Sequence, residues 1–157
     1  PHNQLSFDQS AKVIINHVTD GVRIAEKALL PKAVVDFIRT HHGLGKAKYF
    51  YNSFKNQYPD KEIDEKTFTY PGPNPFSKET AVLMMADSVE AASRSLKEHT
   101  EESIRQLVDK IIDGQIADGL LKSAPLPFRD VETIKSVFVD KLKTMFHTRI
   151  SYPDLKK

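Results

Sequence analysis

Three histidines occupy positions from which their side chains could bind one metal ion. His17 follows Ile14 by three residues on the apolar face of a predicted helix, and His41 and His42 close another predicted helix. Neutral imidazole nitrogens and carboxylate oxygens are suitable ligands for Zn, Mn or Fe. The chain contains no cysteine, so thiolate ligands are excluded. The spacing therefore favours a metal site built from histidines and carboxylates.

Asp87 is the fourth candidate ligand. It follows Leu83 and Met84 by four and three residues in a predicted helix, so we expect its carboxylate on the apolar face. Aspartate is a poor helix former, and a buried carboxylate costs several kcal/mol unless it is paired. The alternative to metal binding for Asp87 is an ion pair with Lys78 or Arg94. The alternative for a histidine is a hydrogen bond to backbone, which is the usual arrangement for a single histidine in a core. Three histidines and one aspartate on inward faces favour the metal.

Substrate-binding candidates lie close to these residues in the sequence. Lys46, Lys48 and Tyr49 could meet phosphate and base at the rim of a site, although an amphipathic helix with solvated lysines explains them almost as well. Arg94 is a further candidate, but its spacing from Glu90 is that of an ordinary helix salt bridge. The sequence has no glycine-rich phosphate loop and no nucleophile-elbow serine.

Helical periodicity predicts the elements that position these residues. Ser6 and Gln9 have the spacing of a capping box for a helix ending near Thr19, and Asp20 is expected to start a second helix that Pro31 ends. The further predicted helices cover 31–42, 46–58, 77–96, 100–114 and 131–147. An extended, proline-rich loop is expected over 70–76, and no strand-like alternation of useful length appears. The predicted fold class is all-α.

Length and charge narrow the class of protein. The 157 residues indicate one domain, and 23 Lys+Arg against 21 Asp+Glu give a net charge of +2. These charges are spread evenly, so no nucleic-acid footprint is visible. The longest apolar run, 81–86, is far shorter than the roughly 20 residues that cross a bilayer. The chain begins at Pro1 without an initiator methionine or a signal peptide, and we expect a fragment of a longer protein.

Several segments together give the sequence a specific resemblance. They are His17–Gly21, Asp36–Gly43, Lys48–Tyr51, Tyr70–Pro73, Ala86–Ala92, Asp113–Gln115 and His147–Pro153. With these motifs the chain resembles the HD-domain phosphohydrolases. Within that superfamily it is similar to the cytoplasmic domain of bacterial seven-helix membrane receptors that hydrolyse cyclic di-AMP. The likeness covers nearly the whole chain.

The resemblance implies an HD-domain helical bundle with a known order of ligands. That order is a histidine, the His-Asp doublet that names the family, a histidine, a His-His pair and an aspartate. His17 matches the single histidine, His41 and His42 match the pair, and Asp87 matches the last carboxylate. None of the six histidines precedes an aspartate, so the first histidine and the doublet would lie upstream of Pro1. Residues 1–157 are then expected to be the larger, C-terminal part of one HD domain, incomplete at its N-terminus.

The resemblance also implies a reaction for the parent protein. This is hydrolysis of a cyclic di-AMP phosphodiester at a two-metal centre of Fe or Mn. His17, His41 and His42 would hold one metal and Asp87 the other, with Asp87, His41 and His42 as the catalytic groups. Without the doublet, this chain is expected to bind at most one metal and to be inactive.

The implied partners follow from the same resemblance. One partner is a cyclic dinucleotide. The other is an inner membrane, reached through the absent N-terminal region, with this soluble part expected on its cytoplasmic side. No nucleic acid is expected as a partner. Loss of the upstream helices would uncover an apolar face through which a homodimer could form. The alternative function is a non-catalytic helical module of a membrane receptor that binds a nucleotide or a partner and transmits a signal.

Overall fold

The computed structural model describes residues 5–147, within which the chain forms a helical bundle. Its helices are α1 (Phe7–Lys27), α2 (Lys32–Thr40), α3 (Lys48–Gln57), α4 (Lys78–Ser93), α5 (Glu101–Ala117) and α6 (Phe128–His147), with a 3₁₀ turn at Glu65–Phe68. In this part of the chain the extended pairing is limited to one isolated bridge between Lys46 and Thr69. The predicted all-α class is confirmed. Most of the His147–Pro153 motif lies outside the described residues.

The first helix is longer than the sequence pattern predicts. The prediction that Asp20 starts a second helix is wrong, because α1 runs unbroken from Phe7 to Lys27. The Asp20 carboxylate accepts a hydrogen bond from Arg23 at 3.0 Å instead of capping a helix start. Gly21 allows α2 to approach, since a Cβ there would lie 3.0 Å from Ile38 Cγ2. A capping box at Ser6 and Gln9 starts the helix, as predicted.

Helix α5 ends later than the sequence pattern predicts. The predicted range stops at Gly114, but α5 continues to Ala117. The left-handed conformation that ends a helix is adopted by Gly119, with φ of +74°. The Leu120 N–H then donates to the Gln115 carbonyl at 3.1 Å. The continued helix carries Gln115 to a position facing α4, where its amide contacts Ser88.

The helices form a main core and a smaller cluster. The main core lies among α4, α5 and α6 and contains Met84, Met85, Ile104, Ile112 and Val139, all at most 2% exposed. The smaller cluster joins Val18 of α1 to Ala47 and Tyr70. The metal-site candidates lie beside this smaller cluster.

One face of α1 and α2 is apolar and open. The apolar face predicted for Ile14 and His17 does not point into the core, because Ile14 is 37% exposed and His17 is also exposed. Val13, Ile24 and Val34 are 53%, 65% and 40% exposed. Within residues 5–147 these side chains therefore keep a large part of their surface exposed to solvent. No helix in the same residues is long and apolar enough to span a membrane.

Candidate metal centre

Three imidazoles converge where the middle of α1 meets the C-terminal end of α2. One ring nitrogen from each of His17, His41 and His42 lies within 4.8 Å of the others. The ring centroids are 5.1 Å apart for His17 and each of the other two, and 4.2 Å apart for His41 and His42. Among residues 5–147, these three histidines form a group of candidate ligand side chains with the spacing of a metal site.

Backbone carbonyls orient two of the rings. His41 Nδ1 donates to the Ile38 carbonyl at 2.6 Å, and His17 Nδ1 donates to the Ile14 carbonyl. Because these bonds assign the proton to Nδ1, each Nε2 presents a lone pair. The two Nε2 atoms are 3.0 Å apart, and neither has a proton to donate to the other. A cation between them removes this repulsion, and a carbonyl on the second nitrogen is the usual support of a metal-bound histidine.

His42 is held in its neutral form. Burial lowers its pKa to about 3, and the neighbouring His41 and His17 lower it in the same direction. The ring stacks on Tyr70 with centroids 4.2 Å apart and planes 16° apart. Neutral imidazole is the form that ligates a metal. The donor chemistry and spacing of the three histidines therefore fit one divalent ion.

A tight turn after α2 places His41 and His42 side by side. The Gly43 N–H donates to the Thr40 carbonyl at 3.0 Å, and Gly43 has φ of +52°. The next residue, Leu44, donates its N–H to Asn74 Oδ1 at 2.8 Å. A Cβ on Gly43 would lie 2.5 Å from that same oxygen and 2.8 Å from Met84 Cε. Both the conformation and the space at this position therefore require glycine.

Substituting Gly43→Ala should destabilise the fold and loosen the histidine cluster. We expect the free energy of unfolding to fall by about 1–3 kcal/mol, because a strained left-handed residue and a steric clash are introduced together. Urea denaturation followed by circular dichroism measures this. Gly114→Ala is the matched control, since a Cβ there meets nothing within 4 Å and lies inside a helix; it should be neutral or stabilising. Equal effects of both substitutions would contradict the role of Gly43.

Long-range backbone pairing brings Tyr70 to the histidines. The Ala47 N–H donates to the Phe68 carbonyl at 2.8 Å, and the Tyr70 N–H donates to the Gly45 carbonyl at 2.9 Å. Tyr70 is 8% exposed. Burial raises the pKa of its hydroxyl, and the nearby Asp87 charge raises it further. Asp87 is therefore close enough to this site to act on it electrostatically.

Asp87 does not have the environment that the sequence predicts. The expectation of a buried carboxylate is wrong, because Asp87 is exposed and lies outside the three-histidine cluster. It is two residues from both Met85 and Val89, which are buried, and residues two apart point to different sides of a helix. Neither alternative ion pair forms: Lys78 binds Asp130 at 2.9 Å and Arg94 binds Glu90.

The substrate-binding candidates divide into two groups. Lys46 and Lys48 line a cavity beside His41 and His42. Lys46 forms a salt bridge with Glu65 at 3.1 Å, and Lys48 forms one with Asp118 at 3.2 Å. Tyr49 is 73% exposed and does not line this cavity. Arg94 forms a two-pronged bond to Glu90 at 2.8 and 2.9 Å and lines a different cavity, so its ordinary salt-bridge interpretation is confirmed.

The cavity beside the histidines also contains residues that sequence reasoning did not select. They are Tyr70, Ser88, Lys110 and Gln115. Tyr70 and Gln115 lie within segments that carried the family resemblance, which was the signal available. Ser88 also lies within such a segment, 86–92. Lys110 gave no local signal, because its place at the cavity depends on how α4 packs on α5. Lys110 has no carboxylate within salt-bridge distance among residues 5–147, which leaves its charge available to an anion.

Comparison with known proteins gives consistent results. No family model matches the sequence. The chain is 41% identical over 157 residues to "Cyclic-di-AMP phosphodiesterase PgpH" of Bacillus subtilis (strain 168), covering 100% of the chain and 22% of that protein. It is 35% identical over 156 residues to the protein of the same name in Listeria monocytogenes serotype 1/2a (strain 10403S), covering 99% of the chain and 21% of that protein. The chain thus spans about one fifth of the length of these curated relatives.

Solved structures extend the comparison to the fold. The HD domain of L. monocytogenes phosphodiesterase PgpH aligns with a TM-score of 0.86 at 32% identity, covering 94% of this chain and 68% of that one. The same domain in complex with cyclic di-AMP aligns with a TM-score of 0.89 at 34% identity, covering 97% of this chain and 70% of that one. About a third of the solved domain therefore has no counterpart here.

Proposed function

This chain belongs to the HD-domain phosphohydrolase family, and from that premise we propose that it is the larger, C-terminal part of the catalytic domain of a cyclic di-AMP phosphodiesterase. Two relatives carry that activity in their names, and a solved domain of the same fold binds cyclic di-AMP. HD-domain phosphohydrolases are metal-dependent. We propose iron or manganese here, as the family resemblance implies; the nitrogen and oxygen donors of the chain and its lack of thiolate are compatible with either metal.

The observation that carries the proposal is the pair of facing Nε2 lone pairs on His17 and His41, 3.0 Å apart. His42 completes the donor set in its neutral form, held by burial and by the Tyr70 ring. A divalent ion bound there would supply Lewis acidity towards a phosphoryl oxygen and lower the pKa of a bound water. The residues of this chain orient that ion and the substrate phosphate.

The charged residues around the cavity fit a phosphodiester substrate. Lys110 has no carboxylate partner among the described residues, while Lys46 and Lys48 are exposed enough to exchange Glu65 and Asp118 for a phosphate. We place Asp87 at the second metal of the complete domain, which its exposure allows and its influence on Tyr70 supports. Tyr49 and Arg94 have no part in the proposal, since neither lines the cavity.

Completion of the domain is part of the proposal. Val13, Ile14, Ile24 and Val34 leave an apolar face on α1 and α2, and the solved HD domain is longer than its match to this chain. We propose that a further segment of the natural protein covers this face and supplies the remaining ligands. In its absence the same face would favour a homodimer. We also propose that the natural protein has a membrane anchor and that this domain lies on the cytoplasmic side, as in the similar receptors.

The test compares residues 1–157 with the natural full-length protein, each loaded with Mn²⁺ or Fe²⁺. We expect about one metal ion per 157-residue chain by elemental analysis and no hydrolysis of cyclic di-AMP, whereas the full-length protein hydrolyses it. Hydrolysis by the 157-residue chain alone would contradict the need for further ligands. Absence of hydrolysis by the loaded full-length protein would favour a non-catalytic signalling module instead. Full activity after Asp87→Ala would contradict the role proposed for Asp87 at the second metal.

A further inference from the structure

The cavity beside the histidines has a chemically mixed lining. It has a volume of about 370 Å³, near the lower end of the range for small-molecule sites. The lining includes the rings of His41, His42 and Tyr70 and the polar side chains of Ser88 and Gln115. Apolar surface comes from Met84, Ile111 and Leu120. A cavity of this size and lining suits one nucleoside arm of a dinucleotide, whose base is flat and apolar with polar edges.

Gln115 provides a polar group in this lining. Its Nε2 donates to Ser88 Oγ at 2.9 Å, which ties the side-chain amide of α5 to α4. Its Oε1 is buried and has no hydrogen-bond partner within residues 5–147. A buried acceptor without a donor is unfavourable, and native proteins rarely leave one unless a water, an ion or a ligand completes it. Because Gln115 is one of the residues that line the cavity, an acceptor in this state is suited to a ligand that brings its own N–H.

We propose that Gln115 determines base specificity: its Oε1 accepts a hydrogen bond from the exocyclic amine of an adenine-type base seated in this cavity. The inference rests on the proposed function and extends it. An amino purine presents N–H to this oxygen, and the second hydrogen of Nε2 remains for the adjacent ring nitrogen, the usual pairing of a glutamine amide with adenine. A keto purine presents an oxygen at the same point, and two acceptors then face each other. Ser88 is a positioning residue that holds the amide.

The test uses the metal-loaded full-length protein with cyclic di-AMP and its deaminated analogue, cyclic di-IMP, which replaces each amine by a carbonyl. Dissociation constants from calorimetry and kcat/KM are measured for both. The wild-type protein should prefer cyclic di-AMP by about 10- to 100-fold, the size expected for a buried acceptor left unpaired. Gln115→Met, which keeps the length and removes the acceptor, should abolish most of that preference.

Two further variants separate recognition from folding. Gln115→Glu retains an acceptor oxygen and should keep the preference, even if added negative charge weakens both ligands equally. Gln106→Met is the matched control on the same helix, since Gln106 is exposed and bonds only Glu102 among the described residues; it should leave both constants unchanged. Equal affinity of the wild-type protein for the two dinucleotides, or a preference that survives Gln115→Met, would overturn the inference alone. Failure to bind or hydrolyse either dinucleotide would overturn the proposed function and this inference with it.

Discussion

Replacing His42 by alanine should remove the metal ion from this protein. We expect the affinity for Mn²⁺ or Fe²⁺ to fall by at least about 100-fold, since loss of even a supporting residue around a metal commonly costs 10- to 100-fold. Burial, together with the neighbouring His41 and His17, lowers the pKa of His42 to about 3 and keeps the ring in the neutral form that binds a metal. His41→Ala should have a similar effect, because it removes one of the two Nε2 atoms that face each other at 3.0 Å. Elemental analysis after dialysis and calorimetric titration measure both.

A matched substitution separates ligation from a general loss of histidine. His147→Ala changes an exposed histidine at the end of α6, away from the three-histidine cluster. It should leave metal content unchanged. In the full-length protein the His42→Ala and His41→Ala variants should also lose phosphodiester hydrolysis in proportion to the metal lost. Unchanged metal occupancy in both variants would support core histidines satisfied by backbone hydrogen bonds.

The position of each histidine on or beside a helix could be predicted because it depends on local periodicity, whereas the contact between His17 and His41 joins residues 24 apart in sequence. Periodicity placed His17 on α1 and ended α2 beside His41 and His42, and the structure brings these three together. Starts were predicted well where a side chain caps the helix itself. Ser77 accepts from the Thr80 N–H at 3.2 Å, and Thr100 accepts from the Ser103 N–H at 3.1 Å. Such bonds depend on residues three apart, which a sequence displays directly.

The errors arose where packing between distant segments decides the structure. Asp20 and Gly21 resemble a helix boundary, but contact with Ile38 of α2 favours an unbroken α1. Asp87 was expected inside because Leu83 and Met84 were both counted as core, whereas Leu83 is 40% exposed. The bond between Ser88 and Gln115 joins residues 27 apart in sequence. No periodicity reports a contact of that kind.

Tyr70 is the residue outside the histidine cluster whose loss should have the largest effect. It is 8% exposed, packs with Val18 and Ala47, and stacks on His42 at 4.2 Å. Tyr70→Ala should lower the free energy of unfolding by about 3 kcal/mol, as expected for truncating a buried aromatic ring. It should also weaken metal binding, because His42 loses the ring that holds its plane. Urea denaturation and metal titration of the same samples provide both values.

Two tyrosine variants decide whether the ring or the hydroxyl matters. Tyr70→Phe keeps the stacked ring and removes only the hydroxyl, so stability should change by less than about 1 kcal/mol and metal affinity should stay close to that of the wild-type protein. Tyr49→Ala removes a tyrosine that is 73% exposed, and we expect a stability change within about 0.5 kcal/mol. If Tyr70→Ala were as mild as Tyr49→Ala, the ring would not support His42. If Tyr70→Phe lost metal affinity as severely as Tyr70→Ala, the hydroxyl would be the group that organises the site, and stacking on His42 would be incidental.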